Sequence, residues 1–211
     1  LAVGRKVPRW PECHLPNWVS ELAREAQDEA TVNFTEKVVE RYRKHPSLIR
    51  WQVENEPFIR WFGNCGRETK AFVQNEIAIV KALDDVHPIQ TTASGEQSLW
   101  TDEVDVADIV GISVYDKVCG KFGCFSIPIP ASWYRAKERR VGREKIVVSE
   151  LQAEPWFQGS FKDVSLEDAS KMFSAIDLKE RFQFAESLGS SEILFWGSEW
   201  WLHMKQNGRS E

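Results

Sequence analysis

The chain has 211 residues, of which 42% are hydrophobic and ten are Trp, and its formal net charge is −5. That length and apolar share allow one globular domain with a substantial core, and they exclude a low-complexity or disordered chain. Apart from one basic cluster between Arg135 and Arg143, Lys and Arg are interspersed with acids, which argues against nucleic acid as a partner, and no apolar run approaches the roughly 20 residues of a membrane span.

Short aliphatic or β-branched runs alternate with longer amphipathic stretches, a pattern that predicts a parallel sheet covered by helices. Residues 1–3 form the first expected strand. A helix follows over 31–43, where Phe34, Val38, Val39 and Tyr42 recur at helical spacing. The next strand is 48–53, and the next helix 67–83, with Phe72, Ile77, Val80 and Leu83 turned inward and Pro88 closing the loop beyond. Strands are expected at 89–92 and 109–114, a short helix at 133–140 and a strand at 145–149. One long helix over 166–188 is capped by Asp163 or Ser165 and stopped at Gly189, and a strand at 192–195 comes last.

Six strands spaced by about 20 to 45 residues match successive β/α units, and eight such units need about 250 residues. The expected fold is therefore an α/β (β/α)8 TIM barrel lacking its first two β/α units and most of its last helix, with residues 1–211 forming a single partial domain. An open six-stranded α/β sheet is the alternative, but neither GxGxxG nor GxxxxGK[ST] occurs to favour it. The chain does not begin with Met and has no secretory pattern at its head, so the sequence assigns no compartment. Cys13, Cys65, Cys119 and Cys124 show no C-x-x-C spacing and no well-placed His, so free thiols are expected and zinc is not. A Cys119–Cys124 disulfide stays open for an oxidising compartment.

Two acids follow apolar strands. Glu56 comes after Trp51-Gln52-Val53-Glu54-Asn55, and Glu150 comes after Ile146-Val147-Val148-Ser149. If these strands belong to one barrel, the carboxylates face each other across its mouth, the arrangement that cleaves a glycosidic bond. Asn-Glu-Pro alone is equally a turn sequence, with Pro57 biasing the residue before it; the pair of acids is the stronger signal. Glu54, two residues before Glu56, points to the same side of an ideal strand but deeper, which suits a structural hydrogen-bonding role. Glu154 and Glu199 are expected to be solvated loop acids. Trp156, Trp196, Trp200 and Trp201 are candidate sugar platforms, and Trp10, Trp61 and Trp100 are further ones of lower weight.

These motifs resemble the retaining glycoside hydrolases of clan A, the (β/α)8 group that contains cellulases, mannanases and β-galactosidases, and the likeness runs over nearly the whole chain. It implies that Asn55-Glu56 ends the fourth barrel strand, with Glu56 as general acid/base and Asn55 bonded to the sugar 2-hydroxyl. It implies that Glu150 is the nucleophile at the end of the seventh strand, with the Tyr115 hydroxyl donating to it, and that Trp196 floors the catalytic subsite. His14 stands in for a histidine after the third strand, and Trp156 and Trp200 line the substrate. Ser113 departs from the cellulase-like family 5, which has His-x-Tyr there. The implied reaction is double displacement on a carbohydrate, with Glu56 carrying a raised pKa among Trp51, Phe58 and Trp61 and no metal or organic cofactor required. A non-catalytic carbohydrate-binding barrel and a transglycosylase using the same residues are the other readings.

Overall fold

The computed structural model describes residues 1–9, 12–60, 63–120, 123–142, 145–157 and 164–207. The described chain forms two compact units, Leu1–Ser94 with Ser98–Gly111 and Gly95–Gln97 with Ile112–Glu211. Strands and helices alternate along it: β1 (Ala2–Val3), α1 (Asn17–Ser20), α2 (Arg24–Tyr42), β2 (Trp51–Val53), α3 (Lys70–Leu83), β3 (Ile89–Ser94), α4 (Thr101–Val106), β4 (Ile109–Val114), β5 (Lys117–Gly120), β6 (Gly123–Ser126), α5 (Ala131–Val141), β7 (Ile146–Gln152), α6 (Leu166–Met172), α7 (Ala175–Leu188), β8 (Ile193–Trp196) and α8 (Ser198–Gln206).

In the first unit the strand order is β1-β2-β3-β4. Parallel pairing sets Val3 beside Val53 and Trp51 beside Ile89. Val3, Val53, Val73, Val80 and Ile89 are fully or almost fully buried in one core with Val39 and Ile77, and each such side chain contributes about 1.5–3 kcal/mol on burial. Trp51 belongs to this core. Its indole N–H donates to Asp84 at 2.8 Å.

The buried stripe of α2 is Thr31, Thr35 and Val39. Phe34 is 58% exposed because it precedes Thr35 by one residue and is rotated about 100° from the stripe. The helix also starts seven residues before the expected 31, at Arg24. Thr69 caps α3 by accepting from the Phe72 N–H.

In the second unit the order is β4-β7-β8. Between the paired positions Val148–Ile193 and Leu151–Phe195, β7 has two residues, Ser149 and Glu150, where its parallel partner β8 has one, Leu194. The extra residue makes a bulge across Ser149-Glu150, a device that re-aims a side chain within a strand. With the bulge absorbed, β7 continues to Gln152, so Glu150 lies inside the strand instead of just beyond it.

The long helix expected over 166–188 is two helices. Phe173 leaves helical geometry, and Ser174 starts α7 with a capping box to Asp177. Ser165 caps α6 and Gly189, at φ 72°, ends α7. Asp163, the other cap considered, lies outside the described residues.

The cysteines are not free thiols. Cys13 pairs with Cys65 and Cys119 with Cys124, the latter across the β5–β6 hairpin, where the two residues face each other in register. No helix among the described residues is long and apolar enough to cross a membrane.

Candidate active site

In the first unit the segment after β2 is almost wholly buried: Glu54 is inaccessible, Asn55 is 2% exposed and Glu56 6%. Glu54 and Glu56 both take positive φ, 60° and 42°, a conformation that costs a non-glycine residue on the order of 1–3 kcal/mol and is kept where the surroundings enforce it. The enforcing contacts are visible. Glu54 accepts from the backbone N–H groups of Arg5 at 2.6 Å and Lys6 at 2.8 Å. Lys6 Nζ donates to the Glu56 carbonyl at 2.8 Å. The Thr92 hydroxyl accepts from the Glu56 N–H and donates to Asn55 Oδ1, both at 2.8 Å. Glu56 thus has a fixed backbone on elements from β1, β2 and β3.

Asn55 is held on both sides of its amide. Oδ1 also accepts from Gln52 Nε2 at 3.1 Å, and Nδ2 donates to Glu12 Oε1 at 3.3 Å. Glu12 sits in the turn after β1, 3% exposed, with Lys6 Nζ 3.3 Å away. Burial pushes the Glu12 carboxyl up and the Lys6 charge opposes it. Behind this layer Arg5 pairs with Glu68 and Asp28. Glu76 lies buried beside Glu54 with neither oxygen in hydrogen-bond reach of a donor among the described residues. Burial first, and the Glu54 charge second, push the Glu76 carboxyl well up, and burial and Glu68 push Glu54 up.

In the second unit the Tyr115 hydroxyl donates to Glu150 Oε2 at 3.1 Å. Tyr115 is placed by its neighbours. Its N–H donates to Glu96 Oε1 at 2.9 Å, the same oxygen that the Tyr134 hydroxyl reaches at 2.6 Å, and its ring lies 4.9 Å from that of Trp156. Gly95 allows the approach that brings Glu96 in: a Cβ there would stand 2.1 Å from the Ser113 carbonyl. Gln152, two residues beyond Glu150, accepts from the Asp116 and Lys117 N–H groups and donates to the Lys117 carbonyl, tying β7 to the start of the β5–β6 hairpin. Trp196 Nε1 donates to Glu154 Oε1 at 3.0 Å. Burial raises the Glu154 carboxyl, the indole N–H works against this, and Glu199 adds to it.

The structure therefore joins Asn55 with Glu56 in one unit and Tyr115 with Glu150 and Trp156 in the other. Trp196 keeps company with Glu154. Trp200 lies on α8 against Phe157 and His203. His14 is exposed, its Nε2 3.1 Å from the Arg9 carbonyl; the acid two residues earlier, Glu12, is the member of that turn that meets Asn55. Trp100 is fully buried, with its indole on the Ser94 carbonyl, and is core. Trp10 and Trp61 lie outside the described residues. Lys6, Thr92, Glu96 and Gln152 carry no sequence motif; only the strand ends on which they fall hint at them.

Residues 8–137, more than half of the chain, match the family model described as glycosyl hydrolases family 2, TIM barrel domain. No curated protein matches. Among solved structures, xylanase XynB from Paenibacillus barcinonensis, crystallised with a conduramine derivative, aligns with TM-score 0.59 and 14% identity over 87% of this chain and 62% of that one. The GH53 catalytic domain of Ignisphaera aggregans aligns with TM-score 0.58 and 17% identity over 93% and 61%. The FMN-binding β-glucuronidase from Facaelibacterium prausnitzii L2-6 gives 0.56 and 14% over 82% and 26%. The chain spans between about a quarter and three-fifths of the length of these proteins. Such likenesses concern the fold, a TIM barrel of which this chain carries part. By the family match, the chain belongs to the glycosyl hydrolases family 2 TIM barrel domains.

Proposed function

We propose that this chain is the catalytic portion of a retaining β-glycoside hydrolase acting on a glycoside, oligosaccharide or polysaccharide, with Glu150 as nucleophile and Glu56 as general acid/base. The observation that carries the reading is the Tyr115 hydroxyl on Glu150. A phenol donating to a carboxylate favours its ionised form and fixes the oxygen that attacks. Family membership and the buried Asn55-Glu56 pair with its enforced backbone support it further.

In the first step a Glu150 oxygen bonds to the anomeric carbon as the bond to the leaving oxygen breaks, and the Glu56 proton goes to that oxygen. In the second, Glu56 takes a proton from water, whose oxygen displaces Glu150 and restores both residues. Asn55 holds the sugar 2-hydroxyl, Trp196 lies under the ring, and Trp156 and Trp200 extend the contact surface. The chemistry uses no metal or organic cofactor.

The test is hydrolysis of a panel of aryl β-glycosides by the purified protein and by Glu150→Ala and Glu56→Ala. Glu150→Ala is expected to be inactive. Glu56→Ala is expected to lose about 10²–10⁴-fold on poor leaving groups and much less on dinitrophenyl glycosides, which need no proton, with added azide restoring turnover as a β-glycosyl azide. A first-formed product of inverted configuration, or full activity in Glu150→Ala, would overturn the assignment. Glycosyl transfer to a sugar acceptor in place of water would identify a transglycosylase using the same two acids.

A further inference from the structure

We propose that Glu12, held by Lys6, is a positioning residue that fixes the Asn55 amide for the substrate's 2-hydroxyl; this rests on the glycosidase reading above. Asn55 Oδ1 accepts from Thr92 and Gln52, which fills both of its lone pairs. One of the two Nδ2 hydrogens goes to Glu12 Oε1. The other is uncommitted among the described residues and is the single polar group the amide can offer a ligand. A carboxylate only accepts, so an ionised Glu12 forbids the flipped amide, which would set oxygen against oxygen.

Lys6 supplies the condition for that ionisation. It is inaccessible, lies 3.3 Å from Glu12 Oε2 and donates to the Glu56 carbonyl at 2.8 Å. One ammonium therefore holds both the group that orients Asn55 and the backbone of Glu56. The turn that carries Glu12 is closed by the Val7 N–H donating to the Glu12 carbonyl at 3.0 Å. It is tied covalently at the next residue, since Cys13 is bonded to Cys65 in the segment that follows Glu56. Glu12 itself takes φ 68°, strain that this clamp sustains.

The experiment compares kcat/KM for the aryl β-glycoside that the wild type hydrolyses best with that for its 2-deoxy counterpart, in wild type, Glu12→Ala, Glu12→Gln, Asn55→Ala and the Glu12→Ala/Asn55→Ala double variant. The ratio of the two constants does not depend on the active fraction of a preparation, so partial misfolding leaves it unchanged. Glu12→Ala is expected to lower the ratio about 10- to 100-fold, as loss of one oriented hydrogen bond in the transition state does. Glu12→Gln, which keeps the volume, lowers it less. The double variant stays within about twofold of Asn55→Ala, since Glu12 acts through Asn55. Equal losses on both substrates, or additive losses in the double variant, overturn the positioning role while leaving the glycosidase reading intact. Absence of turnover by the wild type across the glycoside panel overturns both.

Discussion

Removing the Cys13–Cys65 disulfide is expected to destabilise the protein more than removing Cys119–Cys124, by an amount set by chain separation. The first pair is 52 residues apart in sequence and the second five. A cross-link lowers the entropy of the unfolded chain in proportion to the logarithm of the loop it closes, which gives about 4 kcal/mol for the long loop and about 2 kcal/mol for the short one at 25 °C. The difference of about 2 kcal/mol follows from the ratio of loop lengths alone and not from the constant in the relation. The measurement is urea unfolding of Cys13→Ala/Cys65→Ala and Cys119→Ala/Cys124→Ala against wild type, with the slope of free energy on urea checked for constancy. A hairpin disulfide whose loss costs as much as the long-range one would refute the reasoning and place the stabilisation in the folded state. Thiol titration under denaturing, non-reducing conditions should find no free thiol, because all four cysteines are paired.

Tyr115→Phe removes the hydroxyl that donates to Glu150 and should lower kcat by about 10- to 100-fold, the range for one charge-assisted hydrogen bond, with KM little changed; an unchanged kcat would remove Tyr115 from the machinery. Gly95→Ala drives a Cβ against the Ser113 carbonyl at 2.1 Å and should cost about 1–3 kcal/mol in unfolding experiments; a neutral result would mean that this approach is not required. Glu76→Gln should raise the melting temperature at neutral and alkaline pH. The sign follows from the raised Glu76 pKa, caused by burial and then Glu54. A carboxyl raised in the folded state is protonated in both states at low pH, and as pH climbs past the ordinary glutamate value the unfolded state ionises first and gains. Wild-type stability should therefore fall with rising pH above that value, more steeply than in Glu76→Gln; parallel pH profiles would contradict a raised Glu76 pKa.

The strand–helix alternation was readable because β2, β3, β4 and β7 are short apolar runs bounded by polar loops, and each falls within a few residues of its expected place. The β5–β6 hairpin was not, since Lys117–Gly120 and Gly123–Ser126 lack alternation and are held by the Cys119–Cys124 bond and by Gln152. The break at Phe173-Ser174 had a signal, Ser174-x-x-Asp177, hidden inside a helical apolar pattern. Glu56, Asn55, Glu150 and Tyr115 were nameable because a strand end and a family likeness converge on them. Glu12, Lys6 and Thr92 were not. Their part depends on parallel neighbours that bring residues 6, 55 and 92 together, and no local pattern encodes that.

Covalent trapping tests the assignment of the nucleophile most directly. The protein is incubated with a 2-deoxy-2-fluoro-β-glycosyl fluoride of the sugar it hydrolyses best, digested, and mapped by mass spectrometry. A single fluoroglycosyl group esterified to Glu150, absent in Glu150→Gln, is the result predicted. A label on another carboxylate, or steady turnover of substrate with no label at all, would contradict a double displacement through Glu150.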